Sequence, residues 1–300
     1  MEQIKLRRTM MYVTGSNPSI VKDAYIYGSD SIMFDLEDSV SVNHKDAARF
    51  LIYNALQTIN YRGRELVVRV NGLDTPFGAE DFKAMVKAKP DIIRLPKTES
   101  PADVIKADKL VSSLEKEYGI EVGTIKLMAA VESPLGIINS YDIAKSSPRL
   151  VAMAIGAEDF VTSMKTTRSL DGEELTVARG QLLLACRAAQ IYALDTVFSD
   201  INDEEGFENE VRKIHKLGFD GKSVIHPRQI PIVHDVFTPS HDKIRYAIRT
   251  FEAIKEAERN NSGVIALDGK MIDEPMVERA RRVISLAKAA GVYKGGDIND

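Results

Sequence analysis

Short apolar runs alternate along the chain with longer segments in which apolar residues recur at helical spacing. The runs lack the clean alternation of half-exposed strands, which is typical of parallel strands buried on both faces. Helical segments between such strands supply right-handed crossovers. The pattern therefore predicts consecutive βα units. The candidate strands are Met10–Val13, Ser31–Phe34, Leu66–Val70, Ile92–Leu95, Lys126–Val131, Val151–Ile155, Thr196–Ser199 and Ser223–Ile225.

Eight such units favour an α/β fold of the (β/α)₈ TIM-barrel type, which typically takes about 250 residues. The main competitor is an open, doubly wound sheet. Between the strands, Asn17–Tyr27 opens on an Asn-Pro pair, a good helix start, and Lys45–Gln57 carries apolar positions at helical spacing. These segments are predicted to be helices that pack around the barrel.

The pattern changes after the last candidate strand. Asp242–Arg259 and Pro275–Ala290 are predicted to be helices, and Val264–Asp273 between them is predicted to be a short strand or turn. We therefore expect a barrel catalytic domain over residues 1–235 and a C-terminal helical extension over residues 236–300.

Composition limits the classes of partner. The 300 residues are 44% hydrophobic, enough for a sizeable core, and the net charge of −4 gives no general attraction to nucleic acid or acidic membranes. The chain has no Trp and no basic-aromatic cluster, so nucleic-acid binding is not expected. Cys186 lies in the apolar helical run Gly180–Leu194, which favours a buried, inert thiol over a nucleophile.

Targeting signals are not evident. Met1–Arg8 is mixed and basic and leads directly into a short apolar run, without the longer apolar region of a signal peptide. No apolar stretch approaches the ~18 residues that span a bilayer. A soluble, cytoplasmic protein is the expectation.

Polar clusters follow most of the candidate strands. The carboxyl ends of barrel strands meet at one face, so these side chains should share a pocket. The clusters are Asp35–Asp38, Arg69–Gly72, Pro96–Glu99, Glu132–Pro134, Gly156–Asp159 and His226–Gln229.

Glu132 and Asp159 follow successive strands, so their carboxylates should lie on neighbouring strand ends. Two close carboxylates repel each other unless one has a raised pKa or a hard cation lies between them, and oxygen ligands with room for water suit Mg²⁺. A helix-capping or turn role for Glu132 is the simpler alternative.

Arg69 lies inside an apolar strand, where a guanidinium is costly unless it meets a carboxylate or an anionic ligand. Its planar fork would suit a substrate carboxylate or a developing enolate oxygen. Glu37 and Asp38 are either simple charges, partners of Arg69, or site residues. Lys97 and Lys222 are candidates for phosphate contacts, with a solvated role as the alternative.

Taken together, these segments resemble the HpcH/HpaI aldolase superfamily and, within it, the citrate lyase beta subunits, which are citryl-thioester lyases. The resemblance extends in order over nearly the whole chain. It is carried by Leu6–Pro18, Phe34–Val40, Val68–Gly72, Leu95–Lys97, Ala130–Ser133, Gly156–Phe160, Ile225–Pro227 and Asp268–Asp273.

The resemblance implies a (β/α)₈ barrel that assembles as trimers or hexamers and binds Mg²⁺ through Glu132 and Asp159. Arg69 matches an arginine that contacts the keto-acid part of the substrate and the enolate. Glu37 matches a glutamate that supports this arginine and the metal-bound waters. The C-terminal segment would act as a lid over a neighbouring subunit's site, with Asp273 in proton transfer.

The activity implied is Mg²⁺-dependent cleavage of a citryl thioester, on CoA or an acyl carrier protein, to an acetyl thioester and oxaloacetate. In that role the chain would partner the alpha and gamma subunits of citrate lyase. One alternative is a malyl-CoA or citramalyl-CoA lyase or a thioesterase of the same superfamily. The alternative from another class is a scaffold that binds a CoA-type ligand without cleaving it.

Overall fold

The chain, described here from a computed structural model over residues 4–259 and 266–295, divides into two compact units. One unit is Arg7–His234, and the other combines Met1–Leu6 with Asp235–Asp300. Residues 260–265, which include the first two residues of the predicted strand or turn Val264–Asp273, lie outside the described ranges.

The larger unit is a closed barrel in which β1 to β8 pair in sequence order, all parallel, and β8 pairs back with β1. This confirms the predicted (β/α)₈ fold. The strands are β1 Thr9–Thr14, β2 Ser31–Asp35, β3 Glu65–Arg69, β4 Ile92–Leu95, β5 Lys126–Val131, β6 Leu150–Ile155, β7 Tyr192–Asp195 and β8 Gly221–Val224.

Helices follow the strands along the chain. Their bounds are α1 Pro18–Asp23, α2 Lys45–Thr58, α3 Gly78–Ala88, α4 Pro101–Glu117, α5 Pro134–Ile138, α6 Ser140–Ala144, α7 Ala157–Ser163, α8 Thr176–Ala188 and α9 Glu204–Leu217. The next helix, α10 Gln229–Phe237, begins in the larger unit and ends in the other one.

The first six predicted strands agree with the observed ones to within one residue at either end, but the predicted seventh strand, Thr196–Ser199, is wrong. The apolar run Gly180–Leu194 contains both the end of α8 and most of β7. The chain turns between them at Gln190, which adopts a left-handed backbone with φ 59°. No Gly or Pro marks the turn, so the sequence pattern shows no boundary there.

The predicted eighth strand, Ser223–Ile225, begins two residues too late, because β8 starts at Gly221. A Cβ on Gly221 would lie 1.8 Å from the backbone oxygen of Arg7, so only glycine fits where β8 approaches the chain entering β1. Lys222, the next residue, is completely buried. Neither residue type is typical of a strand in a sequence.

The inside of the barrel is filled by apolar side chains from its strands, as expected of a packed barrel core. Tyr12, Val151 and Tyr192 pack against this cluster. Its buried members are Met10, Met33, Val67, Ile92, Met128, Ala152, Ala154 and Leu194.

The C-terminal unit is built on helices α11, His241–Arg259, and α12, Glu274–Ala289, which confirms the two helices predicted there. Strands β9, Ala266–Leu267, and β10, Lys270–Met271, form a small antiparallel ribbon between them. The helices bury a shared apolar cluster that includes Phe251 and Ile284. None of the helices in the described ranges is long and apolar enough to cross a membrane.

Candidate functional site

Strand register brings an aspartate and two arginines together at the carboxyl ends of β2, β3 and β4. Asp35 pairs with Arg69 across β2 and β3, and Arg69 pairs with Arg94 across β3 and β4. The Arg69 Nε and Nη2 atoms donate to the Asp35 oxygens at 2.7 and 2.8 Å. This bidentate pair is buried and fixes the plane of the guanidinium. Sequence reasoning did not identify Asp35 as the main partner of Arg69.

Glu37 contacts the third guanidinium nitrogen of the same arginine. The Arg69 Nη1 atom lies 2.9 Å from Glu37 Oε2 and 3.4 Å from Asp38 Oδ2. The ammonium of Lys45, on α2, donates to the backbone oxygens of Leu36 and Glu37 at 2.8 and 2.6 Å and so holds the segment after β2. Burial raises the pKa of Glu37 to about 7, although Arg69 lowers it.

Arg94 is a second strand arginine, and sequence reasoning missed it. Its side chain is buried, with Nη1 at 3.7 and 3.6 Å from the sulfurs of Met10 and Met33. The ring of Tyr12 lies 5.2 Å from the Arg69 guanidinium carbon and 5.6 Å from that of Arg94. These distances are typical of cation–π contacts. The signal for Arg94 was the same as for Arg69, an arginine inside an apolar run.

Glu132 follows β5 and is only 6% exposed. Its Oε2 atom has no hydrogen-bond partner among the described residues. Burial raises the pKa of Glu132, Arg94 and Arg69 lower it, and the charge of Asp159 raises it further. The Glu132 side chain lies directly over Gly156, where a Cβ would come within 2.4 Å of Glu132 Cγ. Gly156 therefore makes the room that Glu132 occupies.

Asp159 lies in the first turn of α7, and its side chain is 48% exposed. Lys97, whose backbone is left-handed with φ 44°, places its ammonium 3.4 Å from Asp159 Oδ2 and 3.7 Å from Glu37 Oε1. The structure thus brings Glu37, Arg69, Glu132 and Asp159 to one end of the barrel, with Lys97 among them. The other candidate lysine, Lys222, is buried and hydrogen-bonded to protein groups, so it is not a phosphate ligand.

A known protein family matches most of the chain. The sequence pattern of the HpcH/HpaI aldolase/citrate lyase family matches residues 8–227. The chain belongs to this family. The match confirms the resemblance inferred from the strand-end segments.

Two curated relatives match the chain over nearly its whole length. Citrate lyase subunit beta of Leuconostoc mesenteroides subsp. cremoris is 55% identical, covering 96% of each chain. A (3S)-malyl-CoA thioesterase of Cereibacter sphaeroides is 35% identical, covering 95% of this chain and 96% of the relative. Similarity is therefore greater to the citrate lyase subunit than to the thioesterase.

A solved structure of the family has the same architecture. The CitE protein of Mycobacterium tuberculosis, in complex with magnesium, acetoacetate and coenzyme A, superposes with a TM-score of 0.75 at 30% identity, covering 95% of this chain and 98% of the other. That protein carries the magnesium ion predicted for the family together with a keto acid and a thiol cofactor.

The carboxylates present here fit a hard cation that keeps part of its water shell. No group of three or more His, Cys, Asp or Glu side chains within residues 4–259 and 266–295 is arranged to hold a metal ion by itself. Glu132 and Asp159 offer two carboxylates. The buried Glu132 Oε2, which has no hydrogen-bond partner in the part of the chain that the structure describes, is an oxygen suited to a cation. Mg²⁺ is commonly bound by one or two carboxylates plus water and substrate oxygens.

Asp273 belongs to the C-terminal unit. It is the N-cap residue of α12, and its Oδ1 atom accepts a hydrogen bond from the Met276 N–H at 3.0 Å. The residue therefore has a structural role within its own unit.

Proposed function

We propose that the chain is a Mg²⁺-dependent carbon–carbon lyase, the beta subunit of a citrate lyase, which cleaves a citryl thioester to an acetyl thioester and oxaloacetate. The observation that carries the proposal is the buried Glu132 carboxylate, which lies close enough to Asp159 and Arg69 to feel their charges. Its Oε2 atom has no hydrogen-bond partner within residues 4–259 and 266–295. The 55% identity to a citrate lyase beta subunit supports the choice of substrate.

Cleavage breaks the bond between the hydroxyl-bearing carbon of the citryl group and the methylene next to the thioester. The hydroxyl loses its proton and becomes the ketone of oxaloacetate, while the bond's electron pair forms the thioester enolate, which is then protonated on carbon. The enzyme must therefore supply a base, stabilise an anionic oxygen and provide an acid. When bound by Glu132 and Asp159, Mg²⁺ supplies a Lewis acid for the keto-acid oxygens.

Arg69 stabilises the anionic oxygen in this proposal. Asp35 holds two of its nitrogens, so the guanidinium is oriented before substrate binds and little reorganisation is needed during the reaction. Glu37, next to Arg69 Nη1, has a pKa of about 7 and can therefore exchange a proton with substrate or solvent near neutral pH.

Protonation of the enolate carbon is assigned to Asp273 of a neighbouring copy, in a trimer or hexamer. The Asp273 Oδ1 atom accepts the Met276 N–H at 3.0 Å, and this contact orients the side chain at the start of α12. The helical extension would then serve as the lid of a neighbouring subunit's site, which is the role that the resemblance to the family implies for this segment.

A cavity next to the site has room for the thioester arm. It has a volume of about 640 Å³, borders Glu37 and Lys97, and runs between the segments that follow β3 and β4. Apolar side chains such as Phe77 and Phe82 share its lining with Lys106. Pockets of this size and mixed lining suit an extended organic ligand. The cavity supports an acyl group carried on CoA or on an acyl carrier protein.

Replacing Asp159 by Ala tests the metal assignment. We expect loss of Mg²⁺ binding in calorimetric titration and loss of citryl-CoA cleavage, because a single carboxylate remains for the cation. Asp142→Ala, which removes an exposed aspartate on α6, is the matched control and should leave both properties unchanged. Full citryl-CoA turnover by the Asp159→Ala protein would refute the proposal.

The second candidate function is a malyl-CoA or citramalyl-CoA lyase or thioesterase, which the 35% identical malyl-CoA thioesterase favours. Parallel assays of citryl-CoA, malyl-CoA and citramalyl-CoA separate the candidates. We expect the highest kcat/KM with citryl-CoA. A preference for malyl-CoA, with release of free CoA, would favour the thioesterase instead.

A further inference from the structure

The helix that carries Asp159 begins without a side-chain cap of its own. Helices α1, α5 and α9 each begin after a residue whose side chain accepts a backbone N–H of the first turn: Asn17, Ser133 and Asp203. Helix α7 begins after Gly156, which has no side chain to do so. This glycine cannot be exchanged for a capping residue, because Glu132 occupies the space of its Cβ.

The missing acceptor comes from the segment that follows the next strand of the barrel. Thr196, immediately after β7, accepts the N–H of Ala157, the first residue of α7, through its Oγ1 atom at 3.1 Å. Both residues are buried, so water does not provide an alternative partner. A buried N–H left without an acceptor is costly, which makes this hydrogen bond a strong constraint on where α7 starts.

Thr196 is itself held by a buried cation. The ammonium of Lys222 donates to the Thr196 backbone oxygen at 2.8 Å, and also to Asp195 at 2.9 Å and to Glu210 at 2.5 Å. A line of contacts therefore runs from Lys222 through Thr196 to the start of α7. Gly156 and Asp159 lie on either side of the Ala157 N–H that Thr196 accepts.

We propose that Thr196 is a positioning residue for the Mg²⁺ site: its hydroxyl replaces the cap that Gly156 cannot provide and thereby fixes Asp159 relative to Glu132. This inference rests on the proposed function, since it assumes that these carboxylates hold the metal. Substitution of residues that hydrogen-bond to metal ligands or orient them commonly lowers metal affinity by about 10-fold or more.

The test compares Thr196→Val, which keeps the side-chain shape but removes the acceptor, with Thr196→Ser, which keeps the hydroxyl. Calorimetric titration of the full-length proteins with Mg²⁺ should show a dissociation constant about tenfold higher for Thr196→Val. The dissociation constant of Thr196→Ser for Mg²⁺ should lie within about twofold of that of the unchanged protein. In citryl-CoA assays, Thr196→Val should raise the Mg²⁺ concentration needed for half-maximal activity more than it lowers kcat at saturating Mg²⁺.

Thr9→Val is the matched control for stability. Thr9 is also a buried threonine, at the opposite end of the barrel, and its Oγ1 accepts the Asp30 N–H at 3.0 Å. Thr9→Val should lower the melting temperature but leave Mg²⁺ affinity unchanged. The inference is overturned if Thr196→Val binds Mg²⁺ normally, or if Thr9→Val weakens binding equally. If the unchanged protein itself binds no Mg²⁺, the proposed function is wrong. That outcome is distinct from normal Mg²⁺ binding by Thr196→Val, which overturns only the role of Thr196.

Discussion

Two carboxylates that contact the same arginine have pKa values shifted in opposite directions. Burial alone would raise the pKa of Asp35, but the hydrogen bonds and the positive charge of Arg69, together with hydrogen bonds from Ser39 and from the Glu37 N–H, lower it to about 2. For Glu37 the effect of burial dominates, and its pKa rises to about 7. Asp35 therefore stays charged and anchors Arg69, while Glu37 can change its protonation state near neutral pH.

The raised pKa of Glu37 predicts a pH dependence of stability. Between the ordinary value of 4.5 and about 7, the folded protein binds more protons at Glu37 than the unfolded chain does. Its contribution to stability is thus present below pH 4.5 and is lost as the pH rises through about 7. In metal-free buffer, the free energy of unfolding should fall more steeply over this window for the unchanged protein than for Glu37→Gln. The prediction is contradicted if the free energy of unfolding changes equally with pH in the two proteins across this window.

Gly156 provides a second prediction at the scale of one residue. In Gly156→Ala the new methyl would lie 2.4 Å from Glu132 Cγ, so the Glu132 side chain must leave its position. We expect Mg²⁺ affinity to fall at least about tenfold, as is common when a residue that orients a metal ligand is substituted. Gly180→Ala on α8, where a Cβ meets nothing within 4 Å, is the control. It should leave Mg²⁺ affinity unchanged and stabilise the helix by up to ~1 kcal/mol, as measured by chemical denaturation.

At the scale of elements, most of the barrel was predictable because parallel strands buried on both faces are continuous apolar runs. The error at β7 has a local cause. The boundary between α8 and β7 depends on the left-handed backbone of Gln190, a residue type that gives no turn signal. The polar residues that follow the strands were also predictable, since Arg69 and Glu132 interrupt or end apolar runs.

The supporting residues of the site were not predictable in the same way. Asp35 meets Arg69, and Thr196 meets Ala157, only through the register of neighbouring strands and the path of the chain after β7. Gly156 looks like an ordinary residue between a strand and a helix until the position of Glu132 is known. Residue type and spacing along the chain carry no information about such contacts.

At the scale of the whole barrel, closure depends on the approach of β8 to β1. A Cβ on Gly221 would lie 1.8 Å from the Arg7 backbone oxygen and 2.7 Å from that of Arg8, and neither atom can rotate away as a side chain can. Gly221→Ala should therefore lower the free energy of unfolding by roughly 3 kcal/mol or more. Chemical denaturation tests this, with Gly180→Ala as the control. A loss of unfolding free energy below ~1 kcal/mol would show that the backbone where β8 meets β1 shifts at little cost.

Helix α7 is capped by Thr196, a residue that follows the next strand, and this has a consequence for protein engineering. TIM barrels are often regarded as eight exchangeable βα modules whose loops can be varied one at a time. Here the sixth module is incomplete by itself, since the acceptor for Ala157 belongs to the seventh. A graft that moved residues 150–163 alone into another barrel would leave a buried amide without a partner. The transferable piece is the pair of modules, extending through Thr196.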